Sequence, residues 1–240
     1  MSRIFIIPDV HLKPWIFEKA SALADKGAYD AVVMLGDLVD DWYQEKNIDL
    51  YNETFDAAIA FTCKHSDTFW CYGNHDVSYL WEAMESGYSY YARETVVKRI
   101  QDLKNSIPPE NSGFIHKIDN VVFSHAGLTE RFVLRHFCGG QADLDSMIGR
   151  INRMGEAELW QDDSPIWARP QFGEMRLYPQ DVFQVAGHTP VRTALEEGNL
   201  LTLDNFSTYR DGRPIGDERF VWIDTIEKTW RFVEEKNKGR

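Results

Sequence analysis

The sequence has few cysteines, and they follow no spacing that is typical of a metal or disulfide site. Its 240 residues include only Cys63, Cys71 and Cys138, and these form no CxxC motif. An odd and small number of cysteines argues against a disulfide framework. We therefore expect reduced, buried thiols in a cytoplasmic protein.

Positive charge is also scarce. The chain has 26 Lys and Arg residues against 38 Asp and Glu residues, a formal net charge of −12 at pH 7, and no cluster of basic residues. Duplex DNA and anionic membranes are both bound through basic surfaces. The composition is compatible with catalysis and with binding of small ligands. We expect no duplex nucleic acid and no membrane as partners.

Long hydrophobic runs are missing as well. The apolar stretch at 31–36 is far shorter than the ~20 residues of a membrane span. The apolar run at 4–8 stops at Asp9, so it is too short for a signal peptide. With 43% hydrophobic and 27% charged residues, the composition is that of a globular protein. We expect one domain over residues 1–240.

The first third of the chain alternates between short apolar runs and segments with helical spacing. The runs at 4–7, 31–35 and 68–72 are typical of buried parallel strands, and the segments at 15–27 and 48–64 between them are typical of helices. This alternation indicates right-handed β-α-β crossovers and predicts an α/β fold.

The rest of the chain predicts further helices and a second sheet. We expect helices near 78–104, 129–137 and 142–160, and a hairpin over 114–123. Strands of the second sheet are expected at 182–186, 200–203, 220–224 and 229–233. The largely helical segment at about 78–160 is a candidate cap that could select the substrate.

Polar side chains that can bind metals follow five of the apolar runs. They are Asp9, His11, Asp37, Asp40, Asn74, His75, His125 and His188. Each alone could be ordinary turn chemistry, but ligands of open α/β sheets bind beyond the carboxyl ends of the strands. Mixed oxygen and nitrogen ligands suit Mn, Fe or Zn, and a carboxylate can bridge two ions about 3.5–4 Å apart. We expect two divalent ions, with manganese favoured and iron, zinc or nickel as alternatives.

These motifs, in this order, resemble those of the calcineurin-like metallophosphoesterases. The matching segments are Asp9-x-His11, Gly36-Asp37-x-x-Asp40, Gly73-Asn74-His75-Asp76, His125 followed by Gly127, and Gly187-His188-Thr189-Pro190. They are most similar to the phosphoprotein-phosphatase branch, which includes bacterial and phage-type Ser/Thr phosphatases and diadenosine tetraphosphate hydrolases. The resemblance spans residues 4–204 and implies a two-sheet β-sandwich flanked by helices, in four layers.

The resemblance also implies a role for each matching residue. The implied metal ligands are Asp9, His11 and Asp37 for one ion, and the bridging Asp37 with Asn74, His125 and His188 for the other. His75 would be the general acid, Asp40 would orient it, and Arg169 would bind the phosphoryl oxygens. The implied reaction is direct attack on phosphorus by a metal-bridging hydroxide, with no covalent intermediate.

One position departs from the family pattern. An arginine commonly follows the motif that ends at Asp40, whereas this chain has Asp41, Trp42 and Tyr43 there. Asp41 would repel a phosphate dianion, and Trp42 could stack on a base or an aryl group. The departure bears on the substrate and leaves the metal chemistry intact.

We therefore expect a phosphatase that hydrolyses phosphomonoesters, on a phosphoprotein or a small phosphorylated compound. An alternative is a hydrolase of nucleotides or dinucleoside polyphosphates, which Trp42 would favour. A nucleic-acid phosphodiesterase is disfavoured by the negative charge. A non-catalytic scaffold is disfavoured by the complete ligand set with His75. The sequence leaves the oligomeric state open.

Overall fold

A computed structural model describes residues 2–137 and 143–234 as two β-sheets with flanking helices. The helices are α1 (Trp15–Ala24), α2 (Ile48–Lys64), α3 (Asn74–Trp81), α4 (Arg93–Asn105), α5 (Glu130–His136), α6 (Leu144–Ile151) and α7 (Glu156–Leu159). The strands are β1 (Arg3–Ile7), β2 (Ala31–Met34), β3 (Thr68–Cys71), β4 (Ser112–Gly113), β5 (Ile115–Ile118), β6 (Val121–Ser124), β7 (Phe183–Pro190), β8 (Leu195–Glu197), β9 (Leu200–Asp204), β10 (Val221–Asp224) and β11 (Thr229–Phe232). The predicted α/β class, with two sheets flanked by helices, is confirmed.

The first sheet has the strand order β11-β10-β1-β2-β3-β4. Strands β1, β2 and β3 are parallel, as the alternation of strands and helices predicts, and the unpredicted strand β4 pairs parallel with β3. The assignment of 220–224 and 229–233 to the second sheet was wrong, because β10 pairs antiparallel with β1 and β11 pairs with β10. The physical reason is that β1 is buried, so the backbone groups on its outer edge need a hydrogen-bonding strand.

The second sheet has the order β5-β6-β7-β9-β8. The hairpin predicted over 114–123 is β5 and β6, and it turns at Asp119, whose φ is 50°. Strands β6, β7 and β9 are parallel. The sequence did not predict β8, because all three of its residues are exposed and two are acidic, so no apolar run marks it.

The core of the sandwich lies between the two sheets. Ile4 and Ile6 of β1 pack there with Phe123 and Val185 of the second sheet. The alternate residues of β1, among them Phe5, belong to a second apolar cluster that includes the buried faces of the helices. Strand β1 is thus apolar on both faces, which is why its sequence is a continuous hydrophobic run.

The middle of the chain is less helical than predicted. The helix expected over 78–104 is two helices, α3 and α4, separated by an irregular segment at 82–92. Helix α3 ends at Glu82, which has the left-handed φ of 55°. The region expected to be helical over 142–160 likewise divides into α6 and α7, and β4 to β6 precede it. The helical spacing of apolar residues continues through the turns between these short helices. The sequence therefore does not show where one helix ends and the next begins.

The cysteines differ from the expectation in one respect. Cys71 on β3 is a buried free thiol, and burial raises its pKa. Cys63 on α2 is exposed, because it lies on the outer face of that helix, so the expected burial is wrong for it. Cys138 lies outside the described residues. Within 2–137 and 143–234, no helix has the length and apolar character needed to cross a membrane.

Candidate metal centre

The polar segments that follow the strands meet at one end of the sandwich. The backbone N–H groups of Val10 and His11, after β1, donate to the carbonyl of Asp37, after β2, at 3.0 and 2.8 Å. The N–H of His188, in β7, donates to Asp9 Oδ2 at 2.9 Å. Nδ1 of His125, after β6, lies 2.8 Å from the carbonyl of Leu35. The structure therefore brings the strand ends of both sheets together, as the sequence predicts.

The backbone is strained where it presents these side chains. His11, Asp37, Asp40 and His188 all have positive φ, between 45° and 65°. Non-glycine residues occupy this region at a cost of about 1 kcal/mol or more each, and such residues concentrate at functional sites. The strained residue His188 lies where the register of the β7–β9 pairing shifts. Strand β7 continues through this shift, beyond its predicted end.

Glycine is required where the loops approach most closely. A Cβ on Gly187 would lie 1.9 Å from Oδ1 of Asp9. A Cβ on Gly36, whose φ is +99°, would lie 2.5 Å from the backbone nitrogen of Gly73. Larger residues at these two positions would push the candidate ligands apart.

The first group of candidate ligands contains Asp9, His11 and Asp37. Nδ1 of His11 lies 2.9 Å from the carbonyl of Asp40, and this contact makes Nδ1 the protonated nitrogen of a neutral ring. The other ring nitrogen, Nε2, lies 3.8 Å from Asp37 Oδ2. The lone pair of Nε2 is therefore available on the side of Asp37, as metal binding requires.

The second group contains Asp37, Asn74, His125 and His188. Nε2 of His125 lies 3.2 Å from Asp37 Oδ2, 2.9 Å from Asn74 Oδ1 and 3.1 Å from His188 Nδ1. These four atoms come from different loops and surround one small space. The carboxylate of Asp37 lies close to His11 and His75 on one side and to His125 and His188 on the other, so it is placed between the two groups.

The buried charges and the unpaired atoms fit a metal cluster. Asp9 Oδ1 and His188 Nε2 are buried and have no hydrogen-bond partner among the described residues. Burial, with repulsion by Asp204, raises the pKa of Asp9 well above its usual value. Burial, with the charge of His125, lowers the pKa of His188 well below its usual value. Buried carboxylates and neutral imidazoles without partners are costly unless a cation binds them.

His75 and Asp40 form a pair beside these groups. Nδ1 of His75 lies 3.0 Å from Asp40 Oδ2. The other oxygen, Oδ1, accepts hydrogen bonds from the hydroxyls of Tyr51 and Tyr79 at 2.9 and 2.5 Å. Burial lowers the pKa of His75, but the surrounding carboxylates, Asp37 first, raise it more, to about 10.

Asp76 ties the loops of the site together. Its carboxylate accepts hydrogen bonds from the backbone N–H groups of Asp37, Leu38 and Gly73, at 2.9 to 3.0 Å. Burial and the charge of Asp37 raise its pKa to about 7. The residue connects the loops after β2 and β3 and faces the backbone, so its position is that of a structural carboxylate.

Arg169 reaches the same cleft from the loop before β7. Its Nη1 donates to the carbonyl of His188 and to Oγ1 of Thr189, both at 3.1 Å. The guanidinium is half-buried and, with His11, Asp37 and His75, lines a cleft of about 520 Å³.

Two acidic residues of this cleft were not predicted from the sequence. Glu85, in the irregular segment after α3, accepts a hydrogen bond from Asn74 Nδ2 at 2.5 Å. Burial raises its pKa to about 7, against the charge of His75, which lowers it. Asp204 ends β9, is buried and also lines the cleft. Its position directly after an apolar strand is the same signal that identified Asp9, whereas no pattern marks Glu85.

The structure also shows the contacts of the residues at the position where the family commonly has arginine. Asp41 pairs with Lys13 Nζ at 3.5 Å and accepts a hydrogen bond from Thr208 Oγ1 at 3.2 Å. Trp42 donates through Nε1 to the carbonyl of Thr208 at 2.9 Å. The guanidinium of Arg210 lies 5.9 Å from the ring centre of Trp42. The charge of Asp41 is therefore partly compensated.

A comparison with protein families finds that residues 2–222 match the model of the calcineurin-like phosphoesterases. The chain belongs to this family. The resemblance seen in the motifs is thus confirmed, and with it the prediction of a hydrolase that acts on phosphoric esters. Calcineurin-like phosphoesterases are metal-dependent, in agreement with the His and Asp groups that could hold metal ions here.

A comparison with solved structures finds a phosphatase that shares this fold, and two further phosphoesterases with lower TM-scores. A Ser/Thr phosphatase from Saccharomyces cerevisiae that is similar to human PP5 has 16% sequence identity to this chain and a TM-score of 0.56. The match covers 92% of this chain and 72% of the phosphatase chain. A metallophosphoesterase from Sphaerobacter thermophilus has 15% identity, a TM-score of 0.45, and coverage of 98% and 89%. An archaeal phosphodiesterase has 14% identity, a TM-score of 0.42, and coverage of 96% and 98%. A comparison with curated proteins finds no match.

Proposed function

We propose that the chain is a phosphatase that hydrolyses phosphomonoesters with the help of two divalent metal ions. The observation that carries this proposal is the convergence of His11, Asp37, Asn74, His125 and His188 beside His75, with Asp9 bonded to the backbone of His188. Arg169 lines the cleft onto which this cluster opens. The substrate would be a phosphorylated protein or a small phosphorylated compound. Manganese is the first metal to test, and iron, zinc and nickel are alternatives for the same ligand set.

The two ions would be held by the two groups described above. The proposed ligands are Asp9, His11 and Asp37 for the first ion, and Asp37, Asn74, His125 and His188 for the second. When bound, such ions lower the pKa of coordinated water and neutralise charge on the phosphoryl group. The unpartnered Asp9 Oδ1 and the convergence on His125 Nε2 support this assignment.

His75 is the proposed general acid. Because Asp40 accepts the proton of Nδ1 at 3.0 Å, the second ring nitrogen is directed away from Asp40. The ring lines the cleft, so Nε2–H can donate its proton to the oxygen of the leaving group. The carboxylate of Asp40 stabilises the protonated form of the imidazole.

Arg169 is proposed to bind the phosphoryl oxygens. One nitrogen, Nη1, is occupied by the carbonyl of His188 and the hydroxyl of Thr189. These contacts hold the guanidinium in place while its remaining N–H groups can bind oxygens of a phosphate. Arg169 would thus orient the monoester, which carries more oxygens with negative charge than a diester does.

The test compares para-nitrophenyl phosphate with its bis-ester, using manganese-loaded protein and Asn74→Ala as the variant that lacks a ligand. We expect turnover of the monoester that exceeds turnover of the diester and is lost in the variant. Preference for the bis-ester would make the protein a phosphodiesterase instead. Bound manganese with no turnover of either ester would contradict the proposal and favour a non-catalytic scaffold.

A second candidate is hydrolysis of nucleotides or dinucleoside polyphosphates. A specific observation favours it, because Trp42, Tyr43 and Arg210 line both the metal cleft and an adjoining cavity of about 610 Å³. Trp42 is 48% exposed and Tyr43 is 67% exposed, so both rings are accessible to a planar ligand. Aromatic rings and guanidinium groups stack on nucleobases. Trp42→Ala would lower turnover of a nucleotide but not of para-nitrophenyl phosphate if this candidate is correct.

A further inference from the structure

We propose that Glu85 is a positioning residue that determines which end of the Asn74 side chain faces the metal cluster. The inference rests on the proposed function, because Asn74 is a metal ligand only there. It concerns a residue outside the family motifs, on the irregular segment between α3 and α4.

The contact between the two side chains is close and buried. Oε2 of Glu85 lies 2.5 Å from Nδ2 of Asn74, and the Glu85 side chain is only 5% exposed. In this contact Nδ2 of Asn74 is the donor and the carboxylate oxygen is the acceptor, so the NH₂ end of the amide faces Glu85. The carbonyl end, Oδ1, then faces the cluster, where it lies 2.9 Å from Nε2 of His125.

This orientation matters because the two ends of an amide differ in chemistry. The carbonyl oxygen binds divalent cations, whereas the NH₂ nitrogen has no lone pair to offer. His125 does not select the end by itself, because a protonated Nε2 would bond to Oδ1 and a neutral Nε2 would accept from Nδ2. Of the two neighbours, Glu85 is therefore the one that discriminates.

The segment that carries Glu85 is packed onto the His75–Asp40 pair. Gly87, two residues later, has a φ of +96°, and a Cβ there would lie 3.2 Å from Asp40 Cβ and 3.6 Å from His75 Cε1. The N–H of Tyr88 donates to the carbonyl of Glu85 at 3.3 Å and closes a turn. The carboxylate is thus held over the site by local structure.

Glu85 also lies near His75, and the two possible roles must be separated. Oε1 of Glu85 is 3.4 Å from His75 Nδ1, whereas the nearer carboxylate, Asp40, is at 3.0 Å. Oε1 has no hydrogen-bond partner among residues 2–137 and 143–234. An effect through Asn74 changes metal binding, and an effect through His75 changes turnover alone, so metal binding is the informative measurement.

The experiment measures manganese stoichiometry and affinity by titration calorimetry at pH 8. We expect two ions in the wild-type protein. In Glu85→Ala we expect one site to be unchanged and the other to be weaker by about 10- to 100-fold, the usual loss when the partner of a ligand is removed. Glu85→Gln, which keeps a carbonyl oxygen and nearly the same volume, is expected to lose less.

The comparison of the two Glu85 variants separates orientation from charge, and a further substitution tests whether an oxygen facing the cluster is what the site requires. Both Glu85 variants remove the same negative charge, so a purely electrostatic role predicts equal losses. Asn74→Asp in the Glu85→Ala background should restore the weak site to within a few-fold, because a carboxylate presents an oxygen at either end. Glu45→Ala removes a charge from the exposed rim of the same cleft and is the matched control. It should bind manganese as the wild type does.

The outcomes separate this role from the proposed function. Wild-type binding of two ions together with unchanged binding in Glu85→Ala would overturn the role of Glu85 alone. Equal losses in the two Glu85 variants, or failure of Asn74→Asp to restore a folded Glu85→Ala protein, would also overturn it. If Glu85→Ala does not fold, Glu85→Gln with and without Asn74→Asp provides the same comparison. A wild-type protein that binds no manganese would remove the proposed function and this role together.

Discussion

Asp40 holds His75 through one oxygen and is itself held through the other. Oδ2 lies 3.0 Å from His75 Nδ1, and Oδ1 accepts from the hydroxyls of Tyr51 and Tyr79. The carboxylate therefore has little freedom to rotate, and the imidazole is fixed in one orientation and tautomer. In its proposed role as general acid, His75 on the first turn of α3 would therefore donate its proton in a defined direction.

The first prediction follows from that pair. His75→Asn should bind manganese as the wild type does but lower kcat for an alkyl phosphate by about 10²–10⁴-fold, the range of general acid catalysis. For para-nitrophenyl phosphate the loss should be smaller, because nitrophenolate leaves without a proton. Asp40→Asn should show the same dependence on the leaving group. An equal loss for both esters would contradict the assignment of His75 as the acid.

The second prediction concerns Arg169. Arg169→Ala should weaken competitive inhibition by inorganic phosphate by roughly 10- to 100-fold, the loss expected for hydrogen bonds to a charged group. Arg169→Lys should recover only part of this, because an ammonium group cannot reproduce the fork of the guanidinium. Arg210→Ala is the matched control within the cleft. Unchanged inhibition in Arg169→Ala would show that this arginine is not a phosphate ligand.

The third prediction is a dependence of stability on pH that arises away from the cleft. His116 is buried and its Nε2 lies 3.1 Å from the carbonyl of Trp70. Burial lowers its pKa from the usual value of 6.5 to about 4. The unfolded chain therefore binds the proton first on acidification, and stability falls between these two pH values, by up to about 3 kcal/mol.

His116→Gln keeps a donor for Trp70 and does not titrate, so it should lack this part of the pH dependence. Denaturant unfolding of both proteins at pH 7 and pH 4.5 gives the comparison. A wild-type and a variant protein with parallel pH dependence would contradict the prediction.

The fourth prediction concerns removal of the metal ions. Manganese at about 100 times its Kd should stabilise the folded protein by about 2.7 kcal/mol per site, and EDTA should abolish this. Asp9→Asn removes a buried carboxyl group whose Oδ1 has no hydrogen-bond partner among the described residues. The variant should therefore be at least as stable as the wild type in EDTA but gain less from manganese. A variant that is less stable than the wild type in EDTA would show that Asp9 stabilises the fold without metal.

The candidate ligands could be predicted because the ends of continuous apolar runs show where the strands end. Asp9, Asp37 and His125 each follow a continuous apolar run, and parallel strands deliver such residues to one edge. Asp204 likewise stands at the end of an apolar run, as the last residue of β9. Glu85 could not be predicted, since it lies in a segment with no periodicity and its contact with Asn74 depends on the turn at Gly87.

The limits of the fold prediction have a similar cause. The apolar pattern of 220–224 shows a buried strand but not which strand it pairs with, and the free edge of β1 decides this in the structure. The exposed strand β8 has no apolar run at all. Pairing partners depend on contacts between distant residues, which hydrophobic periodicity does not encode.

The most direct test of the account is anomalous diffraction from crystals of the manganese-loaded protein. Two peaks are expected, one among Asp9, His11 and Asp37, and one among Asp37, Asn74, His125 and His188. Data on both sides of the manganese edge would identify the metal. A manganese-saturated protein with no peak at these residues, or with a single peak, would contradict the two-metal site on which the proposed function depends.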